Sequence, residues 1–125
     1  MHRKVAHAVF ILTVFAMSAP ALAQSGTGEQ IFHRYCFICH DTQPGKNKVG
    51  PSLAGIVGRK SGVEAGFSYS DAMESAHLTW DEATLDKYLT DPRAVVPKTK
   101  MLFTGVKNGA DRKALIAYLK SLKSS

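Results

Sequence analysis

The chain has little of what staples or extends many small proteins. It holds two cysteines among 125 residues, too few for a disulfide-stapled scaffold. One tryptophan and five prolines leave no proline-rich or low-complexity tract. No stretch alternates apolar and polar residues in the manner of a half-buried strand. Beyond residue 23 no run is long and apolar enough to cross a membrane, which takes roughly 20 residues. Charge of neither sign dominates: 16 basic residues face 10 acidic ones. At 45% hydrophobic the chain is too apolar to be disordered, and its length suits one domain rather than a multi-domain enzyme.

The first residues account for part of the charge. Arg3 and Lys4 precede an apolar run from Ala8 to Met17, and Ala21-Leu22-Ala23 forms a small-x-small cleavage site. Residues 1–23 are thus expected to be a secretory signal, with residues 24–125 as the mature single domain. Two of the +6 charges belong to that signal, leaving +4. So modest an excess gives no case for nucleic acid as partner. The expected product is an exported monomer, not inserted in the membrane after cleavage, in the periplasm of a Gram-negative bacterium.

Three segments carry helical periodicity. Gly28 to Cys36 places Ile31, Phe32 and Tyr35 on one face. Thr79 with Glu82 reads as a capping box opening a helix whose buried face is Leu85, Tyr88 and Leu89, stopped by Pro92. Leu115, Ile116, Tyr118, Leu119 and Leu122 form a last helix, with Asp111 near its positive end. Only a short helix near Ser70–Ser75 is expected between Asp41 and Leu78. Six of the ten glycines fall in that stretch. So long a loop in a small domain points to a functional segment, and a large apolar cofactor would supply a surface to order it.

Cys36-Phe37-Ile38-Cys39-His40 is C-x-x-C-H, the attachment signature of c-type haem. Thiols three residues apart on a helical turn can reach the two vinyl groups of one porphyrin, and His40 then projects an imidazole at the iron. Three other readings compete. A thioredoxin-like pair lacks the surrounding βαβ pattern. A structural zinc site needs four ligands, and the other mature histidines, His33 and His77, show no paired spacing. A disulfide closing so short a loop stabilises little. For a second iron ligand, only Met73 and Met101 follow residue 23. Met101, between Pro97 and Phe103, suits a loop over the opposite haem face. Met73 is more simply a packing residue.

With these motifs the chain resembles the class I cytochromes c, of the mitochondrial and soluble bacterial kind, from about Gly28 to Leu122. Val49-Gly50-Pro51, Gly58-Arg59-Lys60, Gly66-Phe67-Ser68-Tyr69, Trp80, Tyr88-Leu89, Pro92 and Thr99-Lys100-Met101 follow the haem motif in the family's order. The resemblance implies an all-α cytochrome c fold: three main helices, one or two short ones, and long loops around one haem c attached through Cys36 and Cys39. It implies His40 and Met101 as axial ligands, with the Pro51 carbonyl accepting the other ring N–H of His40. Arg59, Tyr69 and Trp80 would hold the propionates, Tyr88 would sit near the Met101 sulfur, and Thr99 would help close the methionine loop.

The implied function is a non-enzymatic electron carrier between membrane-bound redox complexes. Lys46, Lys48, Arg93, Lys98, Lys100 and Lys107 would meet acidic surfaces of a cytochrome bc-type complex, a terminal oxidase or a reaction centre. The alternative is a haem enzyme or gas-binding protein with a labile Met101. Two positions depart from the family pattern. Lys98 replaces a usual glycine, which strains the chain if φ is positive there. Met73 replaces a usual asparagine and would make its surroundings drier.

Overall fold

The computed structural model describes residues 26–124. The expected signal at residues 1–23 lies outside the described residues. Five helices follow in order: α1 Gly28–Tyr35, α2 Asp71–Glu74, α3 Glu82–Thr90, α4 Pro92–Val95 and α5 Gly109–Ser121. Among the described residues there is no strand, only an isolated bridge between Lys60 and Thr79. The all-α expectation holds, with three main helices and two short ones.

Each helix begins where a side chain caps its first N–H groups. Thr27 and Gln30 form a reciprocal capping box on α1: Gln30 N–H donates to the Thr27 hydroxyl at 3.3 Å, and Thr27 N–H donates to Gln30 Oε1 at 2.9 Å. Ser70 caps α2, Asp91 caps α4 and Asn108 caps α5. The start expected for α3 is corrected. Asp81, not Thr79, is its cap, accepting the Thr84 N–H at 2.7 Å. The Thr79 hydroxyl instead accepts from Lys60 Nζ at 2.7 Å. Pro92 is not a mere terminator either. It opens α4, where its missing N–H costs nothing.

α1 crosses α5 at close range, and α3 packs against α4 and α5. Gly28 permits the first crossing: a Cβ there would lie 2.6 Å from Tyr118 Cβ and run into the Ala114 carbonyl. Ile31, Phe32, Leu115, Val106 and Leu119 fill the centre. Tyr35, expected on the buried face of α1, is 42% exposed. It ends the helix and turns its ring toward Phe103, 6.0 Å away between centroids.

The glycine-rich stretch is ordered partly by its own polar ties, a contribution absent from the sequence reading. The Ser52 hydroxyl, fully buried, donates to the Gln43 carbonyl at 2.6 Å. Asn47 accepts the Ser52 N–H at 2.9 Å and donates to the Ala65 carbonyl at 3.0 Å. Ser61 N–H reaches the Leu78 carbonyl, and Gly58 N–H that of Trp80, both at 2.9 Å, closing the stretch on itself. Gly55, at φ +65°, donates its N–H to the Leu122 carbonyl at 3.0 Å, tying the loop to the end of α5.

Candidate haem site

The site begins where α1 runs out. Cys36 caps the helix with its N–H on the Phe32 carbonyl at 2.7 Å. Cys39 and His40 then both donate to the Cys36 carbonyl, at 3.0 and 2.9 Å. One tight turn therefore carries both sulfurs and the imidazole. The two thiols are unpaired with each other, Cys36 buried and Cys39 half-buried. Burial, with a smaller push from Cys39, raises the Cys36 thiol to about 12. A redox-active dithiol needs the opposite, a thiol poised to ionise.

His40 is held by its far ring nitrogen. Nδ1 lies 2.8 Å from the Pro51 carbonyl, so it carries the proton and leaves Nε2 with its lone pair. Gly50 lies flat against the ring, where any side chain would overlap the imidazole. Burial first, then the charges of Lys48 and Arg59, lower the His40 pKa, against the upward pull of the Pro51 bond. The neutral, ligating form is thereby favoured.

Met101 belongs to a loop after α4. Thr99 N–H returns to the Val96 carbonyl at 3.1 Å, and the Thr99 hydroxyl accepts the Met101 N–H at 3.3 Å. Lys98 has φ +65°, so the lysine occupies the left-handed conformation that glycine would favour. The Tyr88 hydroxyl points at the Met101 sulfur, 3.9 Å away. Its ring meets Trp80 at 4.8 Å between centroids. Met73 packs against the edge of the core, partly buried.

Arg59 and Tyr69 come together through a residue overlooked in the sequence, Glu64. Arg59 donates to the Glu64 carboxylate through Nη1 and to the Ser52 carbonyl through Nη2 at 2.7 Å. The Glu64 N–H donates to the Tyr69 hydroxyl at 3.1 Å. Trp80 joins this group through the main chain, its N–H on the Arg59 carbonyl at 2.8 Å. Glu64 sits five residues after Arg59, an offset with no motif to flag it.

The basic residues divide around the site. Lys46 pairs with Asp41 at 3.3 Å. Lys48 lies over the Phe37 ring, 4.4 Å from its centroid. Lys107 donates to the Thr90 carbonyl at 2.6 Å. Arg93, Lys98 and Lys100 are exposed near the methionine loop. The apolar side chains of Ile38, Val49 and Leu102 are exposed as well, which no motif in the sequence flags. Gly50 N–H donates to the Cys39 carbonyl at 2.7 Å, tying the Val49-Gly50-Pro51 segment to the haem-motif turn. His33 and His77 are exposed.

This donor set fits a covalently held haem. Two unpaired thiols and an oriented imidazole share one turn, and Gly50 keeps the ring's flank clear. Comparisons with known proteins agree. The cytochrome c family profile matches residues 25–123. A cytochrome c2 iso-2 from Magnetospirillum fulvum is 60% identical over 87 residues, covering 70% of this chain and 91% of that protein. Cytochrome c2 from Blastochloris viridis is 46% identical over 98% of this chain and 95% of its own length. Among solved structures, cytochrome cH from Methylobacterium extorquens superposes with a TM-score of 0.71 at 43% identity, covering 75% of this chain and 94% of that one. With its haem motif on the turn after α1 and a profile match along nearly all the described residues, the chain belongs to the cytochrome c family and is an electron-transfer protein carrying one covalently bound haem c.

Proposed function

We propose that this is an exported carrier of single electrons, with His40 and Met101 as its axial ligands. The observation that carries the reading is the fixed imidazole: Nδ1 is committed to the Pro51 carbonyl at 2.8 Å, so Nε2 is the nitrogen left to bind. The Tyr88 hydroxyl points at the Met101 sulfur, and the Thr99 hydroxyl fixes the Met101 main chain by accepting its N–H. The haem, when bound, supplies one-electron exchange between ferric and ferrous iron. The chain supplies the rest. A neutral thioether favours the ferrous state. Two protein ligands leave no position open for a substrate. Arg59, Tyr69 and Trp80 offer N–H and O–H groups to the propionates, whose burial without partners would be costly.

The docking face combines the basic residues Lys46, Lys48, Arg93, Lys98, Lys100 and Lys107 with the exposed apolar side chains of Ile38, Val49 and Leu102. Its partners are acidic surfaces of redox complexes: a cytochrome bc-type donor, and a terminal oxidase or reaction centre as acceptor. The expected signal at residues 1–23 would place the carrier in the periplasm. Among the described residues, no helix is long and apolar enough to cross a membrane.

The test of ligation is the absorption band of methionine-bound ferric haem. It is expected in the wild type and lost in Met101→Ala, with haem still attached. A band that survives in Met101→Ala would reject Met101 as ligand.

A further inference from the structure

We infer that Glu64 is a potential-setting residue, an anion of the chain's own that competes with the haem propionates for Arg59. The inference rests on the reading that Arg59, Tyr69 and Trp80 face the propionates.

Glu64 touches two of those three groups. Its carboxylate takes Nη1 of Arg59, and its main-chain N–H donates to the Tyr69 hydroxyl. The Arg59 and Glu64 side chains are only 12% and 17% exposed, so solvent screens the pair far less than it screens a surface ion pair. The second Arg59 nitrogen is fixed on the Ser52 carbonyl at 2.7 Å, and Ser52 is fully buried. The guanidinium is therefore held from two sides before any propionate meets it. The Tyr69 hydroxyl, having accepted the Glu64 N–H, keeps its own proton to donate. Glu64 thus sets where Arg59 points and leaves Tyr69 as a donor.

Its charge has a further effect. A negative charge near the haem stabilises the ferric form, which carries one more positive charge than the ferrous form. Seen from the haem, the same charge offsets part of the positive field of Arg59. Its effect is to lower the midpoint potential, and removing the Glu64 charge reverses it.

The experiment is a redox titration of the holoprotein at neutral pH and low ionic strength. Glu64→Gln is expected to raise the midpoint, increasing the ferrous-to-ferric ratio at fixed ambient potential by about three- to tenfold. Glu64→Ser, which a partly exposed position tolerates, is expected to move it the same way and serves if the glutamine variant fails to fold. Glu64→Asp, which keeps the charge, is expected to shift it much less. Glu82→Gln makes an equal charge change in the exposed pair with Lys120, and a far smaller shift is expected. A merely structural Glu64 would change thermal stability and leave the midpoint alone. An unchanged or lowered midpoint in Glu64→Gln or Glu64→Ser, with the methionine band intact, would overturn this proposal and leave the ligation reading standing. A wild-type protein without that band would overturn the ligation reading alone, since the Glu64 proposal rests on the propionate side of the site.

Discussion

The Tyr88 hydroxyl stands 3.9 Å from the Met101 sulfur, the only side-chain donor recorded on that atom among the described residues. Burial raises the Tyr88 pKa, so the phenol keeps its proton through the neutral range. An O–H directed at sulfur withdraws electron density from it and weakens its donation to ferric iron. With Met101 as the proposed ligand, Tyr88→Phe should lower the midpoint. A weak hydrogen bond corresponds to roughly a two- to fivefold change in the redox equilibrium, or about 20–40 mV for one electron. Cyclic voltammetry reads this directly, and a raised midpoint would contradict it.

Lys98 holds φ +65° in the turn that delivers Met101. The left-handed conformation costs a non-glycine residue about 1–2 kcal/mol, part of which glycine returns through its freer unfolded chain. Lys98→Gly should stabilise the protein by about 0.5–1 kcal/mol, measured by denaturant unfolding of the ferric form. Destabilisation would mean that the lysine side chain contributes more than its backbone costs.

Gly28 meets the Ala114 carbonyl and Tyr118 Cβ where α1 crosses α5. Gly28→Ala should force the helices apart and cost about 1–3 kcal/mol. A shift of less than about 0.5 kcal/mol would show that the crossing has slack.

Asp81 gives a pH signature separate from the haem. Its carboxylate accepts the Thr84 N–H at 2.7 Å, and that bond holds its pKa below the ordinary 3.8. The folded value lies below the unfolded one. The stabilisation is therefore full above the unfolded pKa and disappears as pH falls through the folded one. Asp81→Asn keeps an acceptor at the cap but cannot titrate. The loss of stability below about pH 4 should be shallower in this variant, with the midpoint potential unchanged. An equally steep acid limb would show that the cap contributes nothing to acid unfolding.

These predictions draw on different depths of the sequence. C-x-x-C-H was legible because its spacing maps onto one turn, and the three main helices because their apolar faces repeat. The strain at Lys98 was legible as a departure from an expected glycine, and the dihedral agrees. The α3 boundary was not: Thr79 and Asp81 both make plausible caps, and the bond from Lys60 to Thr79 comes from across the fold. Glu64 and the ties of Ser52 and Asn47 were also hidden, because they join residues brought together only when the loop closes. The exposure of Ile38, Val49 and Leu102 was invisible for a related reason. Apolar residues are expected inside until a structure leaves them outside.

The basic rim predicts kinetics as well. Association with an acidic redox partner should slow as salt is added, because steering between opposite charges is screened over about 10 Å at 0.1 M. Lys48→Glu and Lys100→Glu should each slow the second-order rate at low salt and flatten its salt dependence. Rates insensitive to ionic strength in the wild type would reject the lysine rim as the docking surface.

The most direct test of the central claim is a reversible redox titration of the holoprotein at neutral pH, followed at the methionine band and repeated under carbon monoxide. A one-electron Nernst curve, with the band intact in the ferric form and no carbon monoxide adduct in the ferrous form, is the predicted result. Ready formation of that adduct at neutral pH would contradict it, because an iron held by both His40 and Met101 leaves no position for an added ligand.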